Sequence, residues 1–213
     1  MIECEIRLNK IEADLKAPEG FFNNNAVIVD NEIMNDISPD WDYKKARICA
    51  VGILHKETIR VYVATKEKDE AFRKTVMTEL SILSKTAEIY AFNRKMEEGN
   101  FLGDFGFEIK IKEIKPFNAK GWNKDRFYRE LMERKIIPEV KITDIFDGDG
   151  GKVINAWNKY ISSGYQDYLD QIIEHNINCL LKESIILKNQ DMIREHFVID
   201  DKNFMIEERW DKK

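Results

Sequence analysis

The stretch Val27-Ile28-Val29-Asp30-Asn31-Glu32 decides how this chain is read. A short run of branched apolar residues, entered from the cluster Asn23-Asn24-Asn25, predicts a buried strand over 26–32. Side chains alternate along a strand, so Asp30 and Glu32 share one face and Asn31 points to the other. Two carboxylates on one face repel each other and are costly to bury without compensation. A divalent cation supplies that compensation. Hard oxygen ligands suit Mg²⁺ or Mn²⁺, the metals of phosphate-ester chemistry.

Working outward, further strands are predicted at 48–54 and 59–64, joined by the hairpin-length connection His55-Lys56-Glu57-Thr58. Phe72, Val76, Leu80 and Leu83 recur at helical spacing and predict an amphipathic helix over 70–85. A short buried strand over 89–92 follows and leads into Asn93. The order strand, strand, strand, helix, strand defines an α/β class with a mixed central sheet flanked by helices. Further on, Gly148-Asp149-Gly150-Gly151 marks a turn. Helices are predicted over 153–161 and 168–187, separated by a stop at Ser162-Ser163-Gly164. Residues 1–25 read as a leading strand or an arm, 26–187 as the core and 188–213 as a C-terminal extension. With no internal repeat and no low-complexity linker, one domain over 1–213 is expected.

The chain has 213 residues, is 43% hydrophobic and carries a net charge of −5, which argues against disorder and does not advertise nucleic-acid binding. No apolar run is long enough to span a bilayer, and MIECEIRLNK lacks the apolar core of a signal peptide, so a cytoplasmic protein is expected. Cys4, Cys49 and Cys179 are odd in number and have no CxxC spacing, which points to neither a zinc site nor a disulfide framework. The segment 108–141 runs against the overall charge, with ten Lys or Arg against six Asp or Glu. Phe117, Trp122, Phe127 and Tyr128 are interleaved with those bases. Lys120, Trp122, Lys124 and Arg126 are accordingly candidates for contact with a nucleic-acid strand, where an aromatic ring stacks on a base and cations meet phosphates.

Taken in order, the motifs form a series. A strand carries Asp30-Asn31-Glu32. A later strand ends at Asn93 and is followed by Glu97-Glu98-Gly99-Asn100-Phe101-Leu102. A Gly-rich turn precedes Ala156-Trp157-Asn158-Lys159-Tyr160. A last helix carries His175-Asn176-Ile177-Asn178-Cys179. This series resembles the DEDD-type 3′–5′ exonucleases of the ribonuclease H-like superfamily, and most of all the YprB ribonuclease H-like domain, over roughly residues 26–187. Glu98 stands where that family has its second-motif Asp. Cys179 stands where it has Asp four residues after the His.

The resemblance implies a ribonuclease H-like fold and a two-metal centre. Asp30, Glu32 and Glu98 would hold Mg²⁺ or Mn²⁺, His175 would activate the attacking water, and Asn93 would lie at the nucleic-acid side. Cys179 departs from the pattern, because a thiol is soft, is mostly protonated at neutral pH and is a poor magnesium ligand. Of the polar neighbours on offer as replacements, Asn178 and Glu183, helical geometry turns Asn178 about 100° from residue 179. The expected function is a metal-dependent exonuclease-like protein acting on DNA or RNA, with a divergent centre. The alternative is a ribonuclease H-like scaffold that has lost catalysis and binds nucleic acid or a protein partner.

Overall fold

The computed structural model describes residues 1–37, 42–114 and 124–196. At its centre is the strand that carries the carboxylate pair. Strand β2 (Asn24–Ile33) has neighbours on both sides, and Val27, Ile28 and Val29 are fully buried. Residues buried on both faces of a sheet read as a continuous apolar run, and that is what the sequence shows.

Six strands form one sheet. They are β1 (Ile2–Arg7), β2, β3 (Ile48–Lys56), β4 (Thr58–Val63), β5 (Ile89–Ala91) and β6 (Lys112–Glu113), in the spatial order β1-β4-β3-β2-β5-β6. The pairs β1–β4, β4–β3 and β3–β2 are antiparallel, whereas β2–β5 and β5–β6 are parallel. The mixed α/β class is thus present. The N-terminal segment is a leading strand: β1 pairs along β4 and alternates half-buried and exposed, as an edge strand does. The β3–β4 hairpin is tighter than the four-residue connection expected. His55 already pairs with Thr58, and Lys56 takes a left-handed φ of 56° to close the turn.

Helix α1 (Leu8–Leu15) follows β1 directly and has no counterpart in the predicted elements. Helix α2 (Glu70–Leu83) buries Phe72, Val76 and Leu80; Asp69 caps it by accepting from the Phe72 N–H at 3.1 Å. Helix α3 (Arg94–Asn100) passes into one π turn, Phe101–Phe105. Helix α4 (Lys124–Glu133) lies in the basic segment. There Phe127 and Tyr128 are buried, with the Tyr128 hydroxyl donating to the Val140 carbonyl at 2.7 Å. Those two rings therefore belong to the core. Helix α5 (Gly150–Ser163) starts at the Asp149 cap and ends at Gly164, whose φ of 74° suits glycine. Helix α6 (Asp167–Lys188) and α7 (Gln190–His196) complete the fold. No helix of the described residues is long and apolar enough to cross a membrane.

Helix α6 packs on β2, β3 and β4, with α5 against it. Its close approach depends on Gly52, which lies opposite Asp30 on β3. A Cβ there would overlap the Asn176 amide oxygen and the Leu180 side chain. The missing side chain lets α6 sit directly over Asp30.

Candidate metal centre

Four carboxyl groups from three elements converge at the end of β2. Asp30 and Glu32 come from β2, Glu97 from α3 and Glu183 from α6, and all four are buried. Strand alternation places the first pair. Helix α3 supplies the third for a backbone reason. Pairing of β2 with β5 stops at Ile28, and the Asn31 N–H beyond it donates to Glu97 Oε2 at 3.1 Å. On the other face, the Asn100 amide donates to Asn31 Oδ1 at 2.8 Å. Glu183 is placed by helix phase: Asn176, Cys179 and Glu183 are spaced i, i+3, i+7, and His175 lies four residues before Cys179, so all four side chains share one buried stripe.

Crowding shows in the acidities. Burial pushes Glu32 up to about 8, with Asp30 adding to the rise and His175 and Lys124 opposing it. Burial likewise pushes Glu183 up to about 8, against the pull of Lys124 and with Asp30 adding to the rise. Burial and the neighbouring Asp30 and Glu183 hold Glu97 well above the carboxylate range. Both oxygens of Glu183 lack a well-aligned hydrogen-bond donor, although the residue is fully buried. Buried carboxyls in this state are the donor set that a hard divalent cation satisfies.

One cation of the protein's own stands among them. Lys124 Nζ lies 2.6 Å from Asp30 Oδ1 and also pairs with Glu183. Burial disfavours its charge, but Asp30, Cys179 and Glu183 outweigh that and hold the ammonium charged. Asn176 donates its amide to the Asp30 backbone oxygen at 3.1 Å and to Oδ2 at 2.9 Å, fixing that carboxylate.

His175 forms the other half of the site. Its Nδ1 lies 2.7 Å from Asp144 Oδ1, and its Nε2 lies 3.3 Å from Glu32 Oε1 and 3.8 Å from Cys179 Sγ. Burial opposes the imidazolium, but Glu32, Cys179 and Asp144 together raise its pKa to about 12. Asp144 is pulled down to about 2: burial works against ionisation, and the bond to His175, the Phe146 N–H and Lys182 outweigh it. The Asp144 carboxylate also accepts from the Phe146 N–H at 2.9 Å and the Gly148 N–H at 3.2 Å. Lys182, buried on α6, pairs with Asp125 and lies 3.7 Å from Asp144.

The structure brings together Asp30, Glu32, His175 and Cys179, as the motif series expects. It does not bring Glu98. That carboxylate accepts from the Ile111 N–H at 2.8 Å and lies 3.9 Å from Arg94, outside the cluster, and Glu97 occupies the place one residue earlier. The cause is helical phase: adjacent residues point about 100° apart, and the Asn31 N–H selects Glu97. Lys124, expected on a nucleic-acid surface, is turned inward instead, because two buried carboxylates hold its ammonium. Asn93, at the start of α3, and Arg126, on α4, are exposed. Lys120 and Trp122 lie outside the described residues. Glu183 was legible from its spacing on α6. Asp144 and Lys182 had no comparable signal, since Asp144 sits in an irregular segment 31 residues before its partner His175.

A comparison of the sequence with protein-family models finds no match, and a comparison with curated proteins finds none.

Proposed function

We propose that this chain is a ribonuclease H-like, metal-dependent hydrolase of phosphodiester bonds, of the 3′–5′ exonuclease type and acting on the ends of DNA or RNA. The observation that carries the reading is the convergence of Asp30, Glu32, Glu97 and Glu183 beside His175, reached from three separate elements. The Asp-x-Glu strand at the centre of a mixed sheet, with the His-Asn helix packed over it, supports the fold part of the reading. Bound Mg²⁺ or Mn²⁺ would lower the pKa of a water and neutralise developing phosphate charge. Asp30, Glu32, Glu97 and Glu183 are the groups that would hold such ions. Asn176 orients Asp30 through two hydrogen bonds. The carboxyls of Glu32 and Asp144 favour a proton on His175 against the cost of burial, and Asp144 fixes the ring.

A second reading rests on Lys124. Its ammonium already supplies positive charge between Asp30 and Glu183, so the cluster can be stable with no divalent ion. On that reading the chain is a scaffold that has lost catalysis and binds nucleic acid or a protein partner. A nuclease assay with Mn²⁺ on end-labelled single-stranded DNA and RNA separates the two. The hydrolase reading expects stepwise loss of 3′ nucleotides that Asp30→Asn abolishes. Absence of cleavage by the folded wild-type protein leaves the scaffold reading.

A further inference from the structure

The geometry points to a zinc-binding site formed by Glu32, His175 and Cys179. It goes beyond the hydrolase reading and does not rest on it, although the two share Glu32 as a ligand.

The three ligand atoms lie within 4.8 Å of one another, and all three residues are buried. Zinc binds nitrogen and oxygen at about 2.0 Å and sulfur at about 2.3 Å in a tetrahedron. Those bond lengths give ligand-to-ligand edges of about 3.3 Å for nitrogen–oxygen and about 3.5 Å for nitrogen–sulfur. The observed edges are 3.3 Å from His175 Nε2 to Glu32 Oε1 and 3.8 Å from Nε2 to Cys179 Sγ. Small side-chain adjustments convert this triangle into one face of the tetrahedron.

The surroundings fit as well. A zinc-bound histidine gives its other ring nitrogen to a carboxylate, which fixes the tautomer and the ring. Here His175 Nδ1 is held by Asp144 Oδ1 at 2.7 Å, and Asp144 is itself fixed by two backbone N–H groups. That arrangement directs Nε2 at Glu32 and Cys179. A Glu, His and Cys set is a mixed oxygen, nitrogen and sulfur donor set. It suits zinc and fits poorly the all-oxygen octahedron of magnesium. Three protein ligands leave one coordination position open, as catalytic zinc sites do. Zinc binding replaces the Cys179 S–H bond with a Zn–S bond and the His175 Nε2–H bond with a Zn–N bond, and releases both protons, with any proton on Glu32, to solvent.

The test uses the whole chain, stripped with chelator and then titrated with Co²⁺ and Zn²⁺ in the absence of nucleic acid. One equivalent of Co²⁺ should bind and give a thiolate-to-cobalt charge-transfer absorption that one equivalent of Zn²⁺ bleaches. Cys179→Ser should lose that absorption, and Cys4→Ser should keep it. Asp144→Asn should weaken Zn²⁺ binding about 10–100-fold. Failure to bind Co²⁺, binding without the thiolate absorption, or an unchanged spectrum in Cys179→Ser overturns the proposal. Should Cys179→Ser not fold, the zinc-edge X-ray absorption of the wild-type protein decides. One sulfur at about 2.3 Å with nitrogen and oxygen at about 2.0 Å supports the site, and a shell without sulfur overturns it. Loss of nuclease activity alone touches none of these readouts, so the two readings fail separately.

Discussion

Lys124 Nζ lies 2.6 Å from Asp30 Oδ1, although 94 residues separate the two in sequence. The contact places the first residue of α4 in the middle of a carboxylate cluster built from β2, α3 and α6. Its presence means that the cluster holds a cation of its own whatever else binds there, and the protein's response to metal and to pH follows from that.

Removing the ammonium should expose the cost of the cluster. Lys124→Met leaves Asp30 and Glu183 buried without their shared partner, and breaking a buried pair in this way costs about 3–5 kcal/mol. Chemical denaturation should show that loss in metal-free buffer. Added Mn²⁺ should recover part of it, because a ligand that binds only the folded state stabilises by mass action. A Lys124→Met protein as stable as wild type would mean that the pair does not matter.

Stability of the metal-free protein should fall as pH rises. Glu32 and Glu183 titrate near 8 when folded, against about 4.5 for the free group. A raised folded pKa contributes stability that is present below the unfolded pKa and is lost as pH climbs through the folded one. The relevant window is therefore pH 4.5 to 8. His175, raised to about 12 from 6.5, acts in the same direction at higher pH. Asp144, lowered to about 2, acts oppositely, and its contribution is lost only below pH 4. Unfolding free energies from denaturation at pH 5 and pH 8.5 should differ by on the order of a few kcal/mol in favour of pH 5. A flat profile would contradict this assignment of buried protons.

Glu97 and Glu98 offer a within-helix comparison. Glu97→Gln keeps an acceptor for the Asn31 N–H but removes a carboxyl that can ionise onto a metal, so Mn²⁺ affinity by calorimetry should fall about tenfold or more. Glu98→Gln removes a charge that faces Arg94 and the Ile111 N–H, and should change that affinity little. Equal losses in the two variants would place the second-motif carboxylate wrongly.

Gly52→Ala tests the approach of α6 to the sheet. The added methyl overlaps Asn176 and Leu180, so one must shift, at a cost of about 1–3 kcal/mol. The melting temperature should drop, and metal binding should weaken along with it, since Asn176 orients Asp30.

The sequence carried strands β2 to β5 and helices α2, α5 and α6 because their signals are local, whereas β6, α3 and α4 had no counterpart in the predicted elements. Val27-Ile28-Val29 sits in one buried strand, and the apolar spacing of Phe72, Val76 and Leu80 falls on the buried face of α2. Helix α1 was missed because it follows β1 without a capping residue: Arg7 makes no side-chain cap bond. Within the site, Asp30, Glu32, His175 and Cys179 were legible from motif order. Glu97 was not, because the choice between adjacent glutamates is made by a backbone N–H left unpaired where β5 ends, which is a tertiary fact. Lys124 was read as a surface base by its basic neighbours. What turned it inward is the buried carboxyl pair Asp30 and Glu183, which no local pattern announces.

The central claim is that the buried carboxylates form a cation centre, and a crystal soaked in Mn²⁺ tests it most directly. Anomalous scattering should reveal one or two ions coordinated by Asp30 and Glu32, with Glu97 or Glu183 completing the shell and Lys124 displaced from Asp30. Lys124 still paired with Asp30 at millimolar Mn²⁺, with no anomalous peak among the four carboxyls, would contradict the account.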